Sequence, residues 1–187
     1  NANEKAALQK TMWNEKGLNP LIVGQPVTKI ADMAGIKLPE GKKFIMVEDN
    51  GVGKEFPFSG EKLSVTMTVY KAESFNDAVT LVDRITSFSG QGHSAGIHTA
   101  LEQRVKEMAL RVRVSRIMVR QPQSLANSGS WTNGMPMTLT LGCGSWGGNS
   151  TTSNVNWEHL LNYTWVAFPI ANSQPTDEEL FGAAMLD

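Results

Sequence analysis

The fold is decided by residues 74–119, which read SFNDAVTLVDRITSFSGQGHSAGIHTALEQRVKEMALRVRVSRIMV. Ser74 and Thr99 each begin a segment with the spacing of a helix capping box, and apolar side chains follow on one face. A glycine-rich turn and a short strand separate these helices, and another strand ends before Pro122. Because strands that alternate with amphipathic helices pair in parallel through crossovers, the sequence predicts an α/β fold with a mostly parallel open sheet flanked by helices.

The rest of the chain extends this pattern toward both ends. Residues 44–47, FIMV, form an unbroken apolar run, which is typical of a strand covered on both faces. Residues 64–70 alternate between apolar and polar side chains and predict a second strand. A late strand is predicted from Leu161 to Ile170. No internal repeat or domain boundary is evident, so residues 1–187 are predicted to form a single domain. Short helices are predicted over residues 3–16, 26–34 and 176–185.

Charge and composition exclude several classes of protein. The chain carries 17 Lys and Arg against 18 Asp and Glu, and this balance argues against a basic nucleic-acid surface or a polybasic membrane anchor. Apolar residues make up 41% of the 187 residues, which is enough to bury a core. No apolar run approaches the roughly 20 residues that cross a bilayer, and the first residues lack a secretory signal. We therefore expect a soluble, cytoplasmic protein without nucleic-acid or membrane partners.

Cysteine and histidine are too few for a disulfide framework or an evident metal site. Cys143 is the single cysteine, which excludes an intramolecular disulfide and any cysteine-rich zinc module. His93, His98 and His159 form no HxH or HxxxH pair, so no metal is predicted. A lone cysteine with a histidine elsewhere can still be a nucleophile and its base. However, no basic residue lies close to Cys143 in the sequence, and a free cysteine is usually a small buried hydrophobe.

A glycine-rich loop, GCGSWGGNS, contains Gly142, Gly144, Gly147 and Gly148. Glycine adopts backbone angles that other residues avoid, and it lets a ligand approach the main chain closely. The composition therefore predicts a loop that lines an active site or a cofactor cleft. A tight crossing on the surface is the alternative interpretation. The loop is not a phosphate loop, because neither G-x-x-x-x-G-K-[ST] nor G-x-G-x-x-G is present.

Two further side chains are candidates for chemistry. His93 follows the turn formed by residues 90–92, where sites of α/β proteins gather, and is a candidate acid–base group or oxyanion donor. Glu61 opens a predicted strand, and its carboxylate can hydrogen-bond a sugar hydroxyl or act as a base. A structural histidine and a solvated glutamate are the alternatives. Exposed charge is the expected role of a loose basic cluster that comprises Arg111, Arg113, Arg116 and Arg120.

Five segments carry a more specific signal. They are residues 18–25 (LNPLIVGQ), 57–64 (PFSGEKLS), 90–94 (GQGHS), 116–122 (RIMVRQP) and 139–150 (LTLGCGSWGGNS). In this order they resemble the coenzyme A-acylating aldehyde dehydrogenases, and the resemblance covers nearly the whole chain. Within that family, residues 121–129 (QPQSLANSG) favour a likeness to the sulfoacetaldehyde and succinate semialdehyde enzymes.

The resemblance implies a reaction and roles for the candidate residues. In this family a cysteine thiolate attacks an aldehyde, the thiohemiacetal passes hydride to NAD or NADP, and coenzyme A takes the acyl group. By position, Glu61 matches the glutamate that contacts the nicotinamide ribose. His93 matches a histidine near the reacting carbon, as an oxyanion donor or a proton carrier. Cys143 matches the non-nucleophilic cysteine of the glycine loop.

The resemblance also implies that this chain is part of a longer enzyme. In the family the nucleophilic cysteine and the Rossmann domain lie upstream of the segment that residues 3–25 resemble. We therefore expect the C-terminal portion of a catalytic domain, inactive when alone. The stretch from Leu161 to Ile170 matches an oligomerisation arm, which implies a homodimer or higher oligomer. A cytoplasmic location that includes a bacterial microcompartment is compatible with this family.

Two alternatives remain open at the level of the sequence. One is a non-catalytic α/β domain for binding or assembly, in which the glycine loop and the late strand contact a partner. The other is a thiol hydrolase in which Cys143 is the nucleophile and His93 is its base.

Overall fold

The computed structural model describes residues 1–185, which fall into two compact units, one spanning Asn1–Asn156 and the other beginning at Trp157. The helices of the first unit are Ala2–Met12 (α1), Val27–Ala34 (α2), Phe75–Phe88 (α3), Glu102–Arg111 (α4) and Gln123–Ala126 (α5). Its strands are Trp13–Asn14 (β1), Gly17–Leu18 (β2), Ile45–Glu48 (β3), Thr66–Val69 (β4), Ala95–Ile97 (β5) and Ile117–Val119 (β6). No helix within the described part of the chain is long and apolar enough to cross a bilayer.

Parallel strand pairing confirms the predicted α/β class. Strands β3 and β4 pair in parallel, and β5 and β6 pair in parallel with α4 as the crossover between them. The short strands β1 and β2 form an antiparallel pair. Within the described residues each sheet has two strands, so the parallel pairs stand separately instead of forming one open sheet. The prediction of a single domain over residues 1–187 stays a prediction.

Two hydrophobic clusters hold the first unit together. The first joins α1, α2 and β3, and Phe58 lies at its centre, fully buried, with its ring edge-on to Trp13 at a centroid distance of 4.8 Å. The helix predicted over residues 3–16 is present as α1, and Leu8 and Met12 are its buried residues in this cluster. The second cluster packs α3 and α4 against β5, and its buried members are Val79, Ala95, Met108, Val112 and Val114.

Of the two predicted capping boxes, one caps a helix and the other does not. The Ser74 hydroxyl accepts a hydrogen bond from the Asp77 N–H at 3.1 Å and caps α3 as expected. The Thr99 hydroxyl instead accepts from the N–H of Leu101 at 3.1 Å, and α4 begins one residue later without a side-chain cap. The prediction for Thr99 was wrong because threonine can form a local turn with the N–H two residues ahead, which competes with capping.

The outer face of the β3–β4 pair differs from the sequence prediction. The register sets Met46 beside Met67, and both side chains point away from the core, with 61% and 48% of their surfaces exposed. Val47 and Thr66 lie on the opposite face and are buried. The alternation of apolar and polar side chains in residues 64–70 was therefore predicted correctly. However, the face that carries Met67 is exposed, and the face that carries Thr66 is buried. Coverage of both faces of β3, expected from its apolar run, is absent within the described residues.

The predicted late strand is also absent from the described structure. Residues 161–170 form no strand pair, and their side chains are exposed, with Trp165 at 93% and Phe168 at 81%. A strand requires a neighbour for its backbone N–H and C=O groups, and the described part of the second unit supplies none. The predicted terminal helix is present as Asp177–Phe181 (α6), with Thr176 and Glu179 forming the expected capping box, followed by the 3₁₀ turn Gly182–Met185.

Candidate functional site

The His93 turn, comprising Gly90 to His93, connects the end of α3 to β5. Gly90 and Gly92 have φ values of +98° and +81°, which are strained for residues with a side chain. The turn is tied to the chain that leads into β6, since the Gly92 N–H donates to the Arg113 carbonyl at 2.8 Å. The Ser115 N–H donates back to the Gly92 carbonyl at 3.0 Å. The backbone that presents His93 is therefore held at both sides.

The glycine loop folds back on itself as a short hairpin. The Gly142 N–H donates to the Ser153 carbonyl at 2.9 Å, and the Gly144 N–H donates to the Thr151 carbonyl at 2.8 Å. At the tip, the Asn149 side-chain oxygen accepts the Cys143 N–H at 2.8 Å. The loop is consequently an ordered structure whose shape is set by its own hydrogen bonds.

The structure brings the His93 turn and the glycine loop into direct backbone contact. A Cβ on Gly92 would overlap the carbonyl oxygen of Cys143 and lie 2.9 Å from the Gly147 nitrogen. A Cβ on Gly147 would overlap the Cβ of Cys143 and lie 2.9 Å from the Gln91 carbonyl oxygen. Glycine is needed at both positions because two backbones occupy the space of a side chain.

Arg116 joins these two segments from beneath. One guanidinium nitrogen donates to the His93 carbonyl at 3.0 Å, and another donates to the carbonyls of Gly142 and Thr152 at 2.7 and 2.8 Å. Arg116 is 6% exposed, and this burial lowers the pKa of its guanidinium, while the nearby Cys143 thiol acts in the opposite direction. Burial of this cation is compensated by carbonyl oxygens, which suit the planar fork of donors that arginine presents.

Arg116 corrects the prediction of a loose exposed cluster. Arg111, Arg113 and Arg120 are exposed as expected, whereas Arg116 is buried. A signal was available in the sequence, because Arg116 has the same strand parity as the buried residues Val114 and Met118. If the alternation of buried positions had been continued across Arg116, it would have predicted a buried arginine.

His93 presents one ring edge to the protein, while the residue as a whole is exposed. Its Nδ1 lies 2.8 Å from the hydroxyl of Ser94, which is buried. Ser94 in turn contacts the side-chain amides of Gln123 and Asn127, which belong to α5 and its C-terminal end. Sequence reasoning missed both amides because residues 121–134 have no apolar periodicity that would indicate a helix. The arrangement leaves the Nε2 edge of His93 as the one that can meet a ligand.

Glu61 lies on a turn beside the end of α3 and is exposed. Its N–H donates to the Ser89 hydroxyl at 3.1 Å, so this turn is fastened just before the His93 turn begins. The neighbouring Lys62 ammonium donates to the carbonyls of Phe58 and Gly60 at 2.7 and 2.8 Å. Burial lowers the pKa of Lys62, and the charge of Glu61 partly opposes this. The Glu61 carboxylate thus projects as a hydrogen-bond acceptor from a well-held backbone.

Cys143 is half-buried in the glycine loop, and its contacts do not form a nucleophile–base pair. Its Sγ lies 3.9 Å from the Leu141 carbonyl, and the Nδ1 atom of His93 is engaged by Ser94. Among the described residues, no group of three or more His, Cys, Asp or Glu side chains could hold a metal ion. The structure therefore brings His93 and the main chain of the glycine loop together, and the Glu61 carboxylate projects from a turn that is bonded to Ser89, just before the His93 turn.

The buried guanidinium provides a direct test of how the site is held together. Arg116→Met removes the donors for three carbonyls, so we expect the free energy of unfolding to fall by about 3 kcal/mol. The free energy of unfolding of Arg116→Lys should lie between those of Arg116→Met and the original chain, because one ammonium cannot reach all three carbonyl oxygens. Arg113→Met is the control, since it removes an exposed arginine 3.4 Å from Asp83 and should cost less than about 1 kcal/mol. Urea unfolding measures these free energies, and an equal decrease for Arg116→Met and Arg113→Met would contradict this account.

A matched pair of glycines tests the contact between the two backbones. Gly92→Ala and Gly90→Ala each place a Cβ at positive φ, which costs about 1 kcal/mol. Only Gly92→Ala also overlaps the Cys143 carbonyl, whereas Gly90 has open space around it. Gly92→Ala should therefore lower the unfolding free energy by about 1 to 3 kcal/mol more than Gly90→Ala. Indistinguishable thermal unfolding curves for the two variants would show that the segments do not touch.

Comparison with known proteins finds relatives that match nearly the whole chain. No model of a known protein family matches the chain. A sulfoacetaldehyde dehydrogenase from an Acholeplasma species is 43% identical over 186 residues, covering 96% of this chain and 38% of that protein. An acylating sulfoacetaldehyde dehydrogenase from Bilophila wadsworthia is 44% identical over 184 residues, covering 96% of this chain and 40% of that protein. The chain thus spans about two fifths of the length of these curated relatives.

The similarity extends to three-dimensional structure. The crystal structure of an acetylating aldehyde dehydrogenase from Geobacillus thermoglucosidasius matches with a TM-score of 0.86 and 34% identity, covering 94% of this chain and 39% of that one. Over the length that it spans, this chain is a homologue of the acylating aldehyde dehydrogenases.

Proposed function

We propose that this chain is the C-terminal part of the catalytic domain of a coenzyme A-acylating, NAD(P)-dependent aldehyde dehydrogenase. The observation that carries the proposal is the backbone contact between the His93 turn and the glycine loop, in a chain whose homology covers 96% of its length. In this reading the nucleophilic cysteine and the Rossmann domain belong to the rest of the enzyme. The 187 residues alone would then be inactive.

His93 and the glycine loop would serve the reacting carbonyl. When a thiolate adds to an aldehyde, negative charge develops on the aldehyde oxygen, and a positioned N–H lowers the energy of that state. The exposed Nε2 edge of His93 is suited to this task, because its other edge is already engaged by Ser94. The glycine loop adds main chain that a substrate can approach closely, since Gly142, Gly144 and Gly147 carry no side chain.

Glu61 fits a role toward the dinucleotide. Its carboxylate is exposed on a turn that Lys62 and Ser89 hold in place, and a carboxylate accepts hydrogen bonds from the paired hydroxyls of a ribose. NAD or NADP supplies a hydride acceptor when it is bound. Solved neighbours include an engineered glycolyl-CoA reductase with bound NADP+ and a Rhodopseudomonas palustris propionaldehyde dehydrogenase with bound propionyl-CoA. For this protein we propose NAD or NADP as cofactor and coenzyme A as acyl acceptor.

Cys143 is assigned a structural role in the glycine loop. Its backbone N–H is taken by Asn149, and its Sγ lies near the Leu141 carbonyl, not near a base. The thiol hydrolase that pairs Cys143 with His93 is disfavoured on this geometry. The non-catalytic binding domain has no specific observation in its favour. Sulfoacetaldehyde and succinate semialdehyde are the proposed aldehydes, because relatives at 35–44% identity are dehydrogenases of these two compounds.

Activity of the longer enzyme that contains this chain tests the proposal. We expect coenzyme A-dependent reduction of NAD(P)+ with short aldehydes that include sulfoacetaldehyde and succinate semialdehyde. Glu61→Gln should raise the KM for the dinucleotide about tenfold, because a hydrogen bond to a charged group is weakened. Cys143→Ser should keep kcat within about threefold, and Glu73→Gln is a control at an exposed carboxylate. No turnover across a broad aldehyde panel, or loss of acyl-enzyme in Cys143→Ser, would overturn the assignment.

We further propose that residues 161–170 pair with another subunit, so that the enzyme is a homodimer or a higher oligomer. An extended segment with exposed large apolar side chains, such as Trp165 and Phe168, is stabilised when a neighbouring sheet edge covers it. A cytoplasmic location that includes a microcompartment is part of the same proposal. A structural neighbour at 25% identity is a propionaldehyde dehydrogenase of a Clostridium phytofermentans bacterial microcompartment.

Oligomeric state gives a separate test. Trp165→Asp in the longer enzyme should shift the assembly toward a smaller species, because a charge would be buried in the subunit contact. Leu180→Asp is the control, since Leu180 is exposed but lies outside the segment. Size-exclusion chromatography with light scattering measures the masses. An unchanged mass for Trp165→Asp, or a strictly monomeric parent enzyme, would refute pairing through residues 161–170.

A further inference from the structure

Three polar side chains form a hydrogen-bonded group behind the Nδ1 edge of His93, and of these the proposed function uses only the contact with Ser94. Ser94 is buried, and its hydroxyl lies 2.8 Å from His93 Nδ1. Gln123 approaches the same hydroxyl at 2.8 Å from α5, and Asn127 approaches it at 3.2 Å. Three polar groups therefore meet at the hydroxyl oxygen of Ser94, and the distribution of hydrogens among them can be worked out.

The orientation of the Gln123 amide follows from its contact with the main chain. The atom 2.8 Å from the Ser94 hydroxyl is also 3.0 Å from the Ser94 carbonyl oxygen. A carbonyl oxygen can only accept, so this atom is the amide nitrogen, Nε2, which has two hydrogens. One hydrogen goes to the carbonyl, and the other goes to the hydroxyl of Ser94.

The Asn127 amide is oriented in the same sense. Its Nδ2 faces the Ser94 hydroxyl, and its Oδ1 accepts a hydrogen bond from the Ser128 hydroxyl at 3.2 Å. Asn127 is buried, and its own carbonyl is held by the side chain of Asn154 at 3.0 Å. The residue is thus fixed with an N–H pointing at Ser94.

These contacts decide where the hydrogen of Ser94 goes. A serine hydroxyl has two lone pairs and one hydrogen. Gln123 and Asn127 occupy both lone pairs, so the hydroxyl hydrogen is donated to the remaining neighbour, His93 Nδ1. An accepting Nδ1 carries no hydrogen, and a neutral imidazole then carries its hydrogen on Nε2.

We propose that Ser94, Gln123 and Asn127 are positioning residues that hold His93 in the tautomer with its hydrogen on Nε2. For catalysis this inference rests on the proposed function. It makes the free edge of His93 a hydrogen-bond donor to the aldehyde oxygen as charge develops there. An Nε2 that already carries a hydrogen cannot accept a proton, so this tautomer excludes a role for Nε2 as a base and suits it to the role of oxyanion donor.

An isosteric substitution should reverse the tautomer. In Asn127→Asp an oxygen replaces Nδ2 and accepts the Ser94 hydroxyl hydrogen, which frees a lone pair of that hydroxyl. His93 Nδ1 can then donate to Ser94, so the hydrogen moves from Nε2 to Nδ1. Ser94→Thr keeps the hydroxyl and should preserve the original tautomer. Asn76→Asp makes the same chemical change on the exposed surface of α3 and is the matched control.

The tautomer is read by NMR on the full 187-residue chain with ¹⁵N-labelled histidine. Only three histidines are present, and His93 is assigned from the signal lost in His93→Gln. Long-range ¹H–¹⁵N correlations at about pH 8, where histidine is ordinarily neutral, distinguish the two tautomers. We expect hydrogen on Nε2 in the original chain, Ser94→Thr and Asn76→Asp, and on Nδ1 in Asn127→Asp. Hydrogen on Nδ1 in the original chain, or no change in Asn127→Asp, would overturn the inference.

Kinetics of the longer enzyme separate this inference from the proposed function. Asn127→Asp should lower kcat about 100-fold with little change in the KM for the dinucleotide, and Ser94→Thr should keep most of the activity. If the enzyme lacks dehydrogenase activity altogether, the NMR result still stands as a test of the tautomer. If activity is present and Asn127→Asp moves the hydrogen without lowering kcat, His93 is not the oxyanion donor.

Discussion

The site depends on one buried cation. Arg116 donates to the main-chain carbonyls of His93, Gly142 and Thr152, so it joins the His93 turn to both sides of the glycine-loop hairpin. Moving a charge out of water is costly unless polar groups replace the water, and here three carbonyl oxygens do so. Arginine suits this position because its planar head offers several donors in fixed directions, which a lysine ammonium does not. The His93 turn and the glycine loop are therefore positioned through their backbones.

Backbone positioning explains why the site is rich in glycine. Arg116 draws the His93 turn and the glycine loop together until Gly92 and Gly147 each meet main-chain atoms of the other segment. At that distance a side chain on either residue has no space. The same closeness fixes the position of His93, whose ring then needs only Ser94 and the two amides behind it to set its orientation. The buried charge of Arg116, the glycines at the contact and the hydrogen position on His93 all belong to this one arrangement of the His93 turn and the glycine loop.

The sequence predicted what is local and missed what depends on distant contacts. The helix that begins after Ser74 and the parity of residues 64–70 follow from neighbouring residues, and both were correct. His93 and the glycine loop were found because their residue types are unusual in themselves. Arg116 and Asn127 looked like ordinary polar residues, since the partners described above lie 23 to 36 residues away. Nothing within a window of a few residues distinguishes such a side chain from a solvated one.

The two errors about exposed apolar residues share a physical origin. The Met46–Met67 face and residues 161–170 have the apolar composition of covered strands, yet both are open in the described structure. Composition reflects the surroundings in which a segment is stable, and those surroundings need not lie within one chain segment. This chain spans about two fifths of the length of its relatives. Under the proposed function, a second subunit would cover residues 161–170, and this accounts for their apolar composition.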